Sequence, residues 1–370
     1  MKKVLFVASV TKHITTFHIP YLKYFKENGY EVHVASNGNE EIKYCDKHFN
    51  LDFQRSPLSF KNLKTYKELK KLIDSDVYDV IHCHTPVASV LTRLAAKKTR
   101  KRHGTRVIYT AHGFHFYKGA PIKNWMIYYP VEKWLSKHTD TLITINEEDY
   151  EIAKKKFKAK QIEHVHGIGV NPDRFSFDIS NLVRDEMRDK FTVGPLDFLL
   201  MYAAELNDNK NQLMLIEAMK TLVKEYPNIK LILAGEGVYR EKIEKEIRES
   251  FLQSNIFLLG YRTDIPELLK ISDLYVATSK REGLPINLVE AMISGLPLVV
   301  TNSRGQRELV EDGLNGYIVE IGDVEALIEK IKNIYLDIRI REQVTSNARE
   351  NIDKYLLDNV YKEMKQIYNA

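Results

Sequence analysis

Glu282 and Glu290 stand eight positions apart, on either side of a loop that opens a helix. Pro285 lies where a first helical residue would, and Gly295 followed by Pro297 supplies the stop, so the stretch between them reads as one short helix. The apolar runs Asp273 to Thr278 before it and Pro297 to Thr301 after it make a strand, loop, helix, strand unit of a parallel sheet. The amino end of a helix so placed faces the ligand crevice, and its free amide groups bind phosphate. A carboxylate beside a phosphate repels it unless it faces something else. Vicinal sugar hydroxyls, which donate to carboxylate oxygens, are the natural partner. The pattern predicts a nucleotide-sugar pocket. In the plainer alternative, Glu290 is a solvated helix residue and Glu282 an ordinary loop charge.

The elements that must carry these groups follow from a strand-then-helix rhythm. Lys3 to Ala8, Glu31 to Ala35, Asp79 to Cys83, Arg106 to Thr110, Thr141 to Ile145 and Ile162 to Val165 are short apolar runs. Helical patterns such as Phe17 to Lys26 and Leu63 to Ile73 lie between them. The second half repeats the alternation with Asp197 to Ala203, Lys230 to Ala234, Ile256 to Leu259, Asp273 to Ala277, Pro297 to Thr301 and Tyr317 to Val319. Two doubly wound α/β sheets follow, joined through the glycines and proline of His166 to Pro172. The last helix, Leu357 to Asn369, carries Val360, Met364 and Ile367 on one face and must dock somewhere.

A chain of 370 residues with 44% hydrophobic content is long enough for two such cores. No apolar run approaches a membrane span, and the start is too short and strand-like for a signal peptide, so a cytoplasmic location is expected. Cys45 and Cys83 are the only cysteines, which argues for reduced thiols and against a disulfide framework. Residues 1–180 hold 30 Lys and Arg against 19 Asp and Glu, while the remainder holds 25 against 31, so the first half carries the positive charge. Its densest run, Lys97 to Arg102, is read either as a solvated helix end or as a contact for an anionic membrane surface. No aromatic residues are interleaved there to stack on bases, so nucleic acid is not the expected partner.

Two other motif readings fall away. The loop after the first strand, Ser9 to His13, lacks the glycines of a dinucleotide fingerprint. Asp74, Ser75 and Asp76 spell the D-x-D that holds manganese in other enzymes, but they end a polar helix and read as its termination.

The Glu282/Glu290 spacing is the E-x7-E motif of family 4 glycosyltransferases. The segments Phe17 to Tyr21, Ile81 to Pro86, Thr110 to Phe116 and Asn146 to Tyr150 extend the resemblance along the chain to about residue 350. Together they are similar to bacterial capsule and exopolysaccharide glycosyltransferases. The resemblance implies the GT-B fold, two Rossmann-like doubly wound parallel-sheet domains facing across a cleft. It implies an acceptor-binding domain over 1–170, a donor-binding domain over 171–350, and a helix in 351–370 packed back on the first.

The same resemblance implies roles. Glu282 would hold hydroxyls of the donor sugar and Glu290 the ribose, with Gly283, Leu284, Pro285 and Ile286 forming the loop and helix start around the donor. Lys210 matches the family's diphosphate lysine, but Glu205 stands where an arginine is usual. Arg281 is the expected replacement, since its planar fork suits phosphate. Tyr261 and Arg262 would flank the uracil, with Gly235 allowing close backbone approach. His112 would touch the donor sugar, and His18, His84, His115 and Lys12 are acceptor-side candidates. His82, His84, His112 and His115 could be taken for a zinc set, but no carboxylate or thiol completes it, and no metal or cofactor is expected.

The implied activity is retaining transfer of a hexose or N-acetylhexosamine from a UDP-sugar. The acceptor would be undecaprenyl-diphosphate-linked or a growing saccharide, at the inner face of the membrane. A nucleotide-sugar epimerase of the same fold and a non-catalytic saccharide-binding protein are the alternatives.

Overall fold

The computed structural model describes residues 1–370 apart from Arg55 and Asn351. The chain forms two compact units, Met1–Ile168 with Tyr361–Ala370, and Gly169–Val360.

In the first unit the strands are β1 (Lys2–Val10), β2 (Tyr30–Asn37), β3 (Lys47–Asn50), β4 (Val80–His84), β5 (Arg106–Ala111), β6 (Thr141–Thr144) and β7 (Gln161–His164). They pair in parallel in the order β3-β2-β1-β4-β5-β6-β7. Helices cover both faces, so central strands read as unbroken apolar runs: Val4 to Ala8 of β1 are all fully buried. Order reverses between β1 and β4, where Val4 lies opposite Val80, and a ligand crevice opens at the carboxyl ends of such a pair.

The second unit repeats the plan with β8 (Phe198–Ala203), β9 (Ile229–Ala234), β10 (Ile256–Gly260), β11 (Leu274–Ala277), β12 (Leu298–Thr301) and β13 (Tyr317–Val319). Their order is β10-β9-β8-β11-β12-β13, again all parallel, with the reversal between β8 and β11. One apolar core runs from Val170 to Leu356 around this sheet.

Four local features differ from the sequence reading. The edge strand Lys47–Asn50 was not expected, because Lys-His-Phe-Asn shows no apolar run and gains its place only by pairing with β2. The helix expected over Phe17 to Lys26 runs Ile19–Glu27, but the stretch before it, expected as a loop through His13, forms a further short helix, Thr11–Phe17, jointed to it at His18. Lys97–His103 is a separate helix after Pro86–Ala95, not the end of one. Pro285 caps the helix Ile286–Ser294 from outside, in an extended conformation, and Gly295 closes it in the left-handed region at φ 82°.

The final helix, Leu357–Asn369, ends among first-unit residues. Tyr368 Oη lies 2.9 Å from His82 Nδ1, and Arg106 donates to the carbonyls of Ile367 and Tyr368 at 2.6 and 3.0 Å. Tyr24 donates to Asn369 Oδ1 at 2.6 Å, and His166 Nδ1 sits 2.7 Å from Glu363.

Candidate active site

At the carboxyl ends of β8 and β11 two loops are tied together before either reaches its helix. Tyr202 and Thr278 donate to the Lys210 carbonyl at 3.0 and 3.2 Å, and Thr278 also to the Asn211 carbonyl at 2.9 Å. Lys280 N donates to the Asn209 carbonyl at 2.7 Å, while Asn209 Nδ2 donates to the Arg281 carbonyl at 2.9 Å. Asn211 takes a left-handed conformation, φ 53°, to turn the chain into the helix Gln212–Glu225. This lacing brings Lys210 Nζ to 2.6 Å from Glu282 Oε1, with both side chains largely sheltered. Lys210 and Glu282, 72 residues apart, therefore form one charged pair beside the amino end of Ile286–Ser294.

A third loop closes on the pair. Gly305 stands where a Cβ would come within 2.5 Å of the Gly283 carbonyl oxygen, so only glycine lets Arg304–Leu309 approach. The preceding Arg304 is buried and donates from Nε to the Glu282 carbonyl at 3.1 Å. Arg281 has no ion-pair partner among the described residues.

Beside these loops lies a cavity of about 390 Å³ lined by Glu205, Gly235, Glu236, Arg262, Asn287 and Glu290, among others. Asn287 fixes its wall by donating to the Ala203 carbonyl at 3.0 Å. Burial pushes the Glu290 carboxyl up to about 7, only partly opposed by Arg174. Tyr261 and Arg262 follow β10 on the same cavity, but Arg262 is held in a two-pronged pair with Asp264 at 2.8 and 2.5 Å. The guanidinium expected to stack on a base is thus engaged by a carboxylate two residues on. A wider recess of about 600 Å³, lined by Asp273, Pro297 and Arg349, opens at the amino ends of β11 and β12, away from the switch point.

In the first unit, histidines gather at the carboxyl ends of β1, β4 and β5. His13 and His18 bring Nε2 atoms to 3.1 Å, His112 Nε2 lies 3.4 Å from His84 Nδ1, and the His18 and His84 rings stack at 3.8 Å. Burial drives all four toward the neutral form, His13 down to about 4. Their ligand nitrogens lie within 4.8 Å of one another, an arrangement that could hold a metal ion.

This quartet replaces the one considered from sequence. His82 is bound instead to Thr110 Oγ1 at 2.8 Å and to Tyr368, and His115 packs on Tyr128 at 4.6 Å. His18 and His84, expected as acceptor contacts, are buried, each with its ring against Phe6. Lys12 is exposed on the short helix after β1.

A family model described as "Glycosyl transferases group 1" matches residues 183–351, and one described as "Glycosyl transferase 4-like" matches residues 3–146. EpsD of Bacillus subtilis (strain 168), named as a glycosyltransferase, is 45% identical over 370 residues, covering 100% of this chain and 97% of that protein. The chain belongs to the group 1 glycosyl transferases.

A second relative is the UDP-Gal:alpha-D-GlcNAc-diphosphoundecaprenol alpha-1,3-galactosyltransferase of Escherichia coli. It is 28% identical over 297 residues, spanning 79% of this chain and 75% of that enzyme. The Anabaena protein Alr3699/HepE, solved with UDP and glucose, superposes with a TM-score of 0.82 at 20% identity and full coverage of both chains. The fold of this glycosyl transferase is GT-B. No helix of the described residues is long and apolar enough to cross a membrane.

Two residues of the glycosyl transferase site escaped the sequence reading. Arg304 arrives from a helix 22 residues beyond Glu282, and its neighbour Gly305 was its only signal. His13 falls in the stretch expected as a loop after the first strand and lies instead on the helix Thr11–Phe17, five residues before His18 at the joint with the next helix.

Proposed function

We propose that this glycosyl transferase moves a sugar from a UDP-sugar to a lipid-linked or growing saccharide in polysaccharide biosynthesis, with retention and without a metal. The observation that carries the reading is the Lys210–Glu282 pair at 2.6 Å beside the amino end of Ile286–Ser294. It sets a cation where a diphosphate would lie and a carboxylate where sugar hydroxyls would.

A departing nucleoside diphosphate accumulates negative charge at the transition state, and fixed cations and amide dipoles aimed at it lower the barrier. Lys210, the helix amides and Arg281 would supply that charge. Glu205 and Glu236 line the neighbouring cavity and Arg262 is paired with Asp264, which supports a compensating arginine from the Glu282 side. Arg304 steadies the loop that presents Glu282. Glu290, on the cavity wall, would accept from the ribose diol.

His112, held neutral by burial, would offer a ring nitrogen to a sugar hydroxyl. In a front-face transfer the acceptor hydroxyl gives its proton to the leaving phosphate oxygen, so the protein need supply no separate base. The UDP and glucose in the HepE complex and the diphosphoundecaprenol acceptor named for the Escherichia coli relative support this choice of substrates.

The test is a panel of UDP-sugars in EDTA with a lipid-linked saccharide acceptor. Acceptor-dependent UDP release and an equatorial anomeric proton in the product are expected from an α-linked donor. An isomerised donor without UDP release would mean an epimerase, and binding without turnover a saccharide-binding protein.

A further inference from the structure

Four histidines of the first unit make their side-chain hydrogen bonds only to one another among the described residues. His13 stands on the short helix Thr11–Phe17, His18 at its joint with Ile19–Glu27, His84 ends β4 and His112 follows β5. His13 Nε2 faces His18 Nε2 at 3.1 Å, and His112 Nε2 faces His84 Nδ1 at 3.4 Å. Among the described residues no carboxylate pairs with any of them, and the far nitrogens of the two buried rings, His18 Nδ1 and His84 Nε2, have no partner. A neutral imidazole carries one N–H and one lone pair, so two facing nitrogens are satisfied only when one of them holds a proton. The tautomer is ordinarily fixed by an acceptor on the far side of the ring, which His18 and His84 lack. A buried polar cluster left this incomplete calls for an ion.

The spacing suits one. Nitrogens bound to a tetrahedral zinc at 2.0 to 2.1 Å lie about 3.3 Å apart, and the two facing pairs, at 3.1 and 3.4 Å, bracket that separation. One nitrogen from each ring lies within 4.8 Å of the others, so the wider pairs must draw in on binding. Burial keeps all four rings neutral, the form that ligates, while His13 and His112 are partly exposed and leave an entry from solvent. Imidazole suits zinc, nickel or copper, and the set lacks the oxygens that magnesium, calcium and manganese prefer.

We propose that His13, His18, His84 and His112 bind one zinc-class divalent ion, which ties the helix Thr11–Phe17 to the carboxyl ends of β4 and β5. All four ligands belong to the first unit, whereas Lys210, Glu282 and Glu290 belong to the second, so the ion sits on none of the residues that grip the donor. Ligation takes one nitrogen of His112 and leaves the other for a sugar hydroxyl. The site stands whether or not the chain transfers a sugar.

The test is titration of the EDTA-stripped full chain with cobalt and then zinc. One cobalt per chain is expected, with the intense visible bands of four-coordinate cobalt, and zinc should displace it. His13→Ala and His112→Ala should each weaken zinc binding by more than about tenfold, the loss that even an outer-shell change produces, while circular dichroism stays native. Exposed His103→Gln should keep the parent's affinity. Zinc should raise the melting temperature of the parent and raise that of the two alanine variants less. X-ray absorption at the zinc edge of the parent reads the ligands without any substitution, and a shell of imidazole nitrogens is expected. A shell of oxygens or sulfur, parent affinity in both alanine variants, no four-coordinate cobalt spectrum, or zinc held only when UDP is present would each overturn the proposal. UDP binding in EDTA is read separately, so failure of the zinc site and failure of the donor grip are distinguishable.

Discussion

At the scale of single residues the account turns on which charge meets which. Lys210→Ala should lower kcat/KM by roughly thirty- to a thousand-fold, about 2 to 4 kcal/mol of transition-state stabilisation. Arg281→Ala should fall in the same range if it replaces the arginine absent at Glu205; near-full turnover in steady-state assays would remove Arg281 from the site. Glu290 gives a pH dependence. Its carboxyl, raised by burial to about 7, is protonated below that pH and accepts from both ribose hydroxyls only when ionised. KM for the donor should therefore fall as pH rises through about 7, and Glu290→Gln should flatten the profile. The same shift has the opposite sign for folding. The unfolded carboxyl ionises near its ordinary value of 4.5 while the folded one resists, so stability declines between 4.5 and about 7 and is level above. Denaturant titrations at pH 5 and pH 8 would read that decline, and Glu290→Gln should abolish it.

At the scale of elements, the site depends on loops at one end of a sheet held in register by close backbone approach. Gly305→Ala would drive a methyl into the Gly283 carbonyl and should raise donor KM by shifting Glu282, while circular dichroism stays native. Much of this scale was legible in the sequence, because parallel strands buried on both faces read as apolar runs and the runs fixed β1, β4, β5 and their second-unit counterparts. What was not legible depended on partners. Lys47–Asn50 becomes a strand only by adding to the edge of β2. Thr11–Phe17 is a short helix where a loop was expected, its apolar contact being little more than buried Ile14 against the sheet. The Ile122–Ser136 helix mixes Lys123, Asn124, Glu132 and Lys133 with apolar residues around its circumference, so nothing in its spacing told which side would be left outside.

At the scale of the whole chain, the last helix is a structural part of the first unit's sheet as well as its end. Tyr368 seals His82 and packs edge-on to Phe25 at 4.8 Å, so Tyr368→Ala should cost about 3 to 5 kcal/mol in chemical unfolding of the first unit. The E-x7-E spacing singled out Glu282 and Glu290 from the sequence alone, whereas the histidine quartet, drawn from three separate strand ends, could be assembled only once the topology placed those ends together. The central claim is a grip on the donor by Lys210, Glu282 and Glu290 that needs no metal. A crystal structure of the protein grown with UDP in EDTA tests it most directly. The account predicts the diphosphate against Lys210 Nζ and the amino end of Ile286–Ser294, with the ribose on Glu290. UDP lodged elsewhere, or bound only when a divalent ion is added, would contradict it.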